Sequence, residues 1–277
     1  MFQSEMLDYF RSHLNNIKHN YILALEQNDP EGIHDLRVEL KRMMAFFNLV
    51  EALNPDFHAH ENFKKFRKIS KKTNRLRDSQ VQYKLLENVK TSLNADVNGY
   101  EQFLKKMETE NHEALRTFSE HNPLNQLKKS KKDIKSAFKP ITHIWAETKA
   151  LGRLYNLLND IILMNGNNNT GNTKLHKVRI LAKELHYTFE ILQQSFHLFP
   201  EGDEFVNQIS RVHKILGKWH DCEVGIAYVT EFLENGGKDA SPELHKTLRD
   251  YFLCEKEGLR KMFSPAFEDF KQAASAL

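Results

Sequence analysis

Residues 33–50 read IHDLRVELKRMMAFFNLV, and residues 175–192 read LHKVRILAKELHYTFEIL. In the first stretch Ile33, Leu36, Leu40, Met43, Phe47 and Val50 recur three or four residues apart, the spacing of one face of an α-helix. Laid over the second stretch at an offset of 142, they meet Leu175, Val178, Ala182, Leu185, Phe189 and Leu192. All twelve positions are apolar. In the same register His34 meets His176, Arg37 meets Arg179, and Lys41 meets Lys183. The spacing predicts two copies of one amphipathic helix, each with a cationic row beside its apolar face.

The correspondence continues downstream. NRLRDSQV (74–81) meets GKWHDCEV (217–224) at offset 143, pairing Asp78 with Asp221 and Val81 with Val224. Just upstream, Lys68, Lys71 and Arg75 meet Arg211, Lys214 and Lys218. A fixed offset within one chain is the mark of an internal repeat. The first helix then matches 143–162, and the copies divide near Pro140 into residues 1–139 and 140–277, together one domain over 1–277. Helices are expected near 2–27, 31–53, 57–74, 79–93, 95–121 and 124–139, then 141–164, 173–199, 202–218, 221–235 and 242–272. Prolines in NDPEG, LNPDF and HNPLN supply most of the breaks. No segment alternates at the strand period. The Asn-rich NGNNNTGN (165–172) reads as a loop inside the second copy.

Composition bounds the class. Of 277 residues 40% are hydrophobic and 28% charged, with a net charge of +3, so this is a globular chain and not a generally basic nucleic-acid coat. Two cysteines, Cys222 and Cys254, offer neither a disulfide framework nor a metal spacing. No apolar run approaches the ~18 residues of a membrane span, and the first residues lack a signal-peptide core. A cytoplasmic protein without membrane contact is expected.

Positive charge is concentrated. KKFRKISKKTNRLR (64–77) holds eight basic residues and no acid. KKSKKDIKSAFK (128–139) holds six and one acid. Positions i, i+3 and i+7 of a helix lie within ~60° of one another, so His34, Arg37 and Lys41 form a row. Each follows an apolar residue, which puts the row ~100° from the core stripe, at its border. The second copy repeats this, and His186 extends it. A single charged row is ordinarily a solvated face, Asp78 and Asp221 could cap following helices, and His34 and His176 could be core histidines. Four rows of one sign, repeated in order, fit a different role. They repel one another unless a polyanion lies between them, and Arg and Lys are the side chains suited to phosphate. His34, Arg37, Lys41, His176, Arg179 and Lys183 are therefore expected to line one shared basic cavity.

The duplicated His-x-x-Arg-x-x-x-Lys segments, each followed by a basic helix ending in RDSQV or HDCEV, resemble the CHAD family, the histidine-containing α-helical domain, over nearly the whole chain. The resemblance implies an all-α fold of two four-helix-bundle-like halves with pseudo-twofold symmetry. It implies binding of inorganic polyphosphate in a basic channel and, in some members, association with polyphosphate granules. Carried over by position, the binding residues are His34, Arg37, Lys41, Lys68, Lys71 and Arg75 with His176, Arg179, Lys183, Arg211, Lys214 and Lys218. The chain is expected to be a stand-alone CHAD domain without the triphosphatase domain that some relatives carry.

Three rivals follow from the same residues. A metal-dependent phosphohydrolase acting on polyphosphate or another phosphorylated substrate needs carboxylates that hold metal and orient water. Asp78, Asp221 and Glu184 are few and scattered, so no catalytic residue is assigned and no enzyme is expected. A metal site among His34, His176, His186, His213 and His220 is disfavoured by crowded cations, so no metal or other cofactor is assigned. Specific nucleic-acid binding lacks aromatic residues among the basic rows, since Phe46, Phe47, Phe63 and Phe66 read as core.

Overall fold

The computed structural model describes residues 2–26, 30–93, 96–122, 124, 129–165, 171–235 and 241–277. These form α1 (Phe2–Glu26), α2 (Pro30–Leu53), the single turn α3 (Ala59–Asn62), α4 (Lys64–Leu93), α5 (Asn98–His121), α6 (Lys129–Phe138), α7 (His143–Asn165), α8 (Asn172–Phe196), α9 (Asp203–Asn235) and α10 (Pro242–Ala274). Among the described residues there is no strand, as the all-α reading requires, and no helix is long and apolar enough to cross a membrane. Parts of three expected loops lie outside the described residues: 27–29 in NDPEG, 123 and 125–128 around HNPLN, and 166–170 in the Asn-rich stretch.

The apolar stripe that opens the sequence argument packs as its spacing demands. All twelve matched positions of α2 and α8 are at most 2% exposed. The two helices lie against each other at the centre, with α1 on α2 and α7 on α8. Contacts also run from α1 to α8 and from α7 to α2, so each central helix is flanked by helices from both halves of the chain. On the other side α4 pairs with α5 and α9 with α10, and α4 crosses α9. The link between α6 and α7 contains Pro140, where the two repeats were divided.

The apolar interior forms two clusters, and both draw on each half of the sequence. The larger joins α1, α2, α7 and α8 with the early part of α9 and the later part of α10. The smaller joins Leu86 and Val89 of α4 and Tyr100 and Leu104 of α5 to Tyr228 and Phe232 of α9 and Phe252 of α10. The halves are therefore interlocked and share their buried surface.

The sequence expectation fails at one instructive place. The sequence pattern predicts breaks between 74 and 79 and between 218 and 221, where Asp78 and Asp221 could cap the following helices. Instead α4 runs unbroken through Asp78 and α9 through Asp221. Neither stretch contains proline, and both aspartates sit among cations from α2 and α8 that make a mid-helix carboxylate tolerable. The continuous helices cross closely. The Gln82 side-chain amide donates to the backbone carbonyl of Asp221 at 2.8 Å, and the Tyr228 hydroxyl donates to that of Arg75 at 3.2 Å. Gly225 permits the approach, since a Cβ there would lie 2.7 Å from the Phe252 ring and 2.9 Å from Gln82.

Candidate functional site

The packing of α2 on α8 turns two sequence rows into one cluster. Arg37 and Lys41 project from α2, Arg179 and Lys183 from α8, and all four are half-buried at the border of the core. Each lies within electrostatic reach of others in the set. Burial depresses the pKa of Arg37, with Asp78 opposing the fall and Arg77 and Arg179 adding to it. Burial is also the largest influence on Lys41, followed by Lys183, Arg37 and Arg179, and together they hold its ammonium well below the usual lysine range. Lys183 is lowered to about 8, by burial first and Arg179 next. The side chains of Lys41 and Lys183 thus lie within reach of each other, one from α2 and one from α8.

Two carboxylates stand among these cations. Burial raises the pKa of Asp78 from α4 and Asp221 from α9, against the lowering pull of Arg37 and Arg179 on Asp78 and of Arg179 and Lys183 on Asp221. They offset part of the charge. Arg37 additionally donates to the side-chain carbonyl of Asn74. Arg179 Nε is buried and lacks a hydrogen-bond partner among the described residues, as do Nδ1 of His213 and of His220. Buried polar atoms without partners are uncommon in folded proteins, and here three of them gather round one charged centre.

The histidines flank this centre and are not core residues. His34 is exposed on α2, its pKa lowered by burial first and Arg77 second. His176 is half-buried and its ring centroid lies 5.4 Å from that of His220. His186 packs 5.9 Å from His213 and lies 3.4 Å from the Ser210 hydroxyl. Burial and Lys183 push His213 down to about 3, and burial and Arg179 push His220 down to about 4, so both are neutral at physiological pH.

The outer rows divide. Arg211, Lys214 and Lys218 of α9 line an open groove of about 820 Å³ that Lys183, His213 and Asp221 also line, so this row runs into the central cluster. Arg211 is partly committed, at 2.7 Å from Asp269 of α10. Lys68 and Lys71 are exposed on α4. Arg75 is drawn toward α9 by two hydrogen bonds to Glu231, at 3.0 and 3.2 Å. The structure thus gathers Arg37, Lys41, Arg179 and Lys183 most tightly, sets His34 and His176 at the margin, and leaves Lys68, Lys71 and Arg75 on the α4 surface.

Arg77, Asp78, His213, His220 and Asp221 belong to the centre, although the sequence argument gave none of them a binding role. A signal for four of them was present in the sequence, because Asp78 matches Asp221 and Arg77 matches His220 at offset 143. His213 carried none, since its neighbour His186 comes from another helix. Phe46, Phe47, Phe63 and Phe66 are buried, as expected, and present no stacking surface.

A family model described as the CHAD domain matches residues 8–230. No curated protein matches the chain. Among solved structures, the crystal structure of the CHAD domain from the plant Ricinus communis is similar with a TM-score of 0.73 at 16% identity, covering 100% of this chain and 92% of that one. PptA from Streptomyces chartreusis is similar with a TM-score of 0.62 at 14% identity, covering 99% of each chain. At such identities the likeness to the solved structures concerns the fold.

Proposed function

The chain belongs to the CHAD domain family, and from that premise we propose that it binds inorganic polyphosphate in the cavity centred on Arg37, Lys41, Arg179 and Lys183, without cleaving it. The observation that carries this reading is the joining of Arg37, Lys41, Arg179 and Lys183, two from each half of the sequence, in one half-buried cluster of basic side chains. A cluster held at that cost to itself is suited to a ligand that supplies repeated negative charge. Guanidinium forks of Arg37 and Arg179 take phosphate oxygens in pairs, while the lysines follow the chain as mobile point charges. The groove bearing Lys214, Lys218 and Arg211 gives a long anion a continuing path. Every phosphoanhydride of the ligand meets a similar field, and equal stabilisation of ground and transition states does not raise turnover. Such binding would also carry the protein to polyphosphate granules.

The test is a titration with long-chain polyphosphate, with RNA and DNA as competitors. Polyphosphate should be preferred, and affinity should fall steeply with salt. If four phosphates are neutralised, the slope of log affinity on log salt should be about −3, at ~0.7 per phosphate for a flexible single chain. Chain length should be unchanged after incubation with Mg²⁺ or Mn²⁺. A flat salt response, or equal affinity for nucleic acid, would refute the reading, and metal-dependent phosphate release lost in Asp78→Ala or Asp221→Ala would replace it with an enzyme.

Affinity should also depend on pH. Lys183 titrates near 8 in the free protein, and a bound polyanion stabilises its charged form and raises that pKa. Binding then takes up protons once pH exceeds about 8. Affinity should fall as pH rises through that point, by up to ~10-fold per pH unit for each proton taken up. Titration at pH 7, 8 and 9 checks this, and an affinity that rises with pH would contradict it.

A further inference from the structure

We propose that His176, His220 and Glu223 form a site for one divalent transition-metal ion of the zinc type, at the margin of the basic cavity. Arginine and lysine crowd the histidines in the sequence, a pattern that by itself disfavours a metal ion. The geometry separates these three residues from the rest. Their ligand atoms all lie within 4.8 Å of one another, one from α8 and two from successive turns of α9.

The orientation of Glu223 is the informative detail. Its Oε1 accepts a hydrogen bond from the Lys256 ammonium at 3.0 Å, and Lys256 is itself held over the Trp219 ring at 4.9 Å. That leaves Oε2 directed at Nδ1 of His220, 3.7 Å away. The separation is too long for a hydrogen bond. It is close to the ~3.3 Å between two ligand atoms on a tetrahedral ion whose bonds are ~2.0–2.1 Å. Nδ1 of His220 is buried without a hydrogen-bond partner among the described residues. Lys256 thus plays the part of an outer partner that fixes a carboxylate ligand and leaves one oxygen free.

The two repeats differ at this spot. Positions matching His176, His220 and Glu223 are His34, Arg77 and Gln80. Arginine offers no lone pair and repels a cation, so the first copy cannot repeat the arrangement. One ion per chain follows. Two His and one carboxylate leave a fourth position open, as in metal sites that take water or substrate.

Arg179 and Lys183 act electrostatically on His220 and oppose the ion in the free protein. A phosphate chain in the cavity would neutralise them and could place an oxygen on the open position. This second part rests on the polyphosphate reading. It requires that metal and polyphosphate strengthen each other by the same factor.

The test uses the full chain, freed of metal by chelator and held in phosphate-free buffer. Zn²⁺ uptake is measured by equilibrium dialysis, and Co²⁺ uptake by its visible absorption. One ion per chain is expected. His220→Arg, which installs the first repeat's residue, and Glu223→Gln should each weaken uptake by more than the ~10–100-fold that loss of an outer partner causes. Their helical circular dichroism and thermal unfolding should stay close to those of the parent. A parent that takes up neither ion, or equal uptake by parent and both folded variants, would overturn the site. Polyphosphate binding by the parent, measured in chelator, judges the other reading separately. At fixed free Zn²⁺, polyphosphate affinity should rise more in the parent than in Glu223→Gln. An equal response in the two would overturn the shared site.

Discussion

Replacing both Arg37 and Arg179 by alanine is expected to weaken polyphosphate binding by ~10²–10⁴-fold while the fold is kept. Each arginine offers charge-assisted, paired hydrogen bonds to phosphate, and a hydrogen bond to a charged group contributes ~1.5–3 kcal/mol. Each single change should therefore cost ~10–100-fold. The two effects should not simply add. Both guanidinium groups act on Asp78, and Arg179 is the largest cationic influence on Asp221, so loss of one changes the field felt by the other. The fold should survive because both side chains lie at the border of the core, while the apolar residues beside them, Leu36 and Val178, stay buried. Titration of the parent, two single variants and the double variant, with circular dichroism as the control for folding, measures this. A double variant that binds as the parent does would place the ligand elsewhere.

Lys183→Met should make the empty protein more stable and the loaded protein weaker in binding. The ammonium is held at about 8 because burial and Arg179 disfavour its charged form. An unfolded lysine titrates near 10.4, so between about 8 and 10.4 the unfolded chain holds the extra proton. The destabilisation is thus complete below about pH 8 and is relieved as pH rises towards the unfolded value. Methionine has a similar shape and no charge. Because the side chain remains partly in contact with water, the gain at pH 7 should be moderate, about 1–2 kcal/mol, or roughly 2–8 °C in Tm. The gain should shrink at pH 10. Polyphosphate should raise the parent's Tm through linkage and raise the variant's less. Thermal unfolding at pH 7 and 10, with and without polyphosphate, reads all four values. A variant that is less stable at pH 7, or equally stabilised by polyphosphate, would contradict the assignment. The cavity gives up stability so that it can hold an anion.

Much of this molecule was legible in the residues. The helical period of Ile33 to Val50 and of Leu175 to Leu192 named the buried face of the two central helices, because burial selects apolar side chains at the positions that face inward. The cationic rows were legible for the same reason, since any residue just past that stripe stands at the edge of the core. The Asp78 and Asp221 positions misled, because a short polar side chain in a helical sequence looks the same whether it caps a helix or neutralises a neighbour. The partner that decides between these is Arg37 or Arg179, on a different helix.

The sequence by itself determined the all-α class, the register of α2 and α8, and which side chains border their apolar faces. These follow from spacing along one chain, and a helix converts spacing directly into direction. Only the tertiary structure decided which borders meet. It brought Arg37 and Lys41 to Arg179 and Lys183, sent Arg75 to Glu231 and Arg211 toward Asp269, and set His176 beside His220 and Glu223. Those pairings depend on how helices cross, and crossing is set by buried contacts such as Gly225 against Phe252, summed over residues far apart in the chain. Spacing along one helix carries no record of that sum.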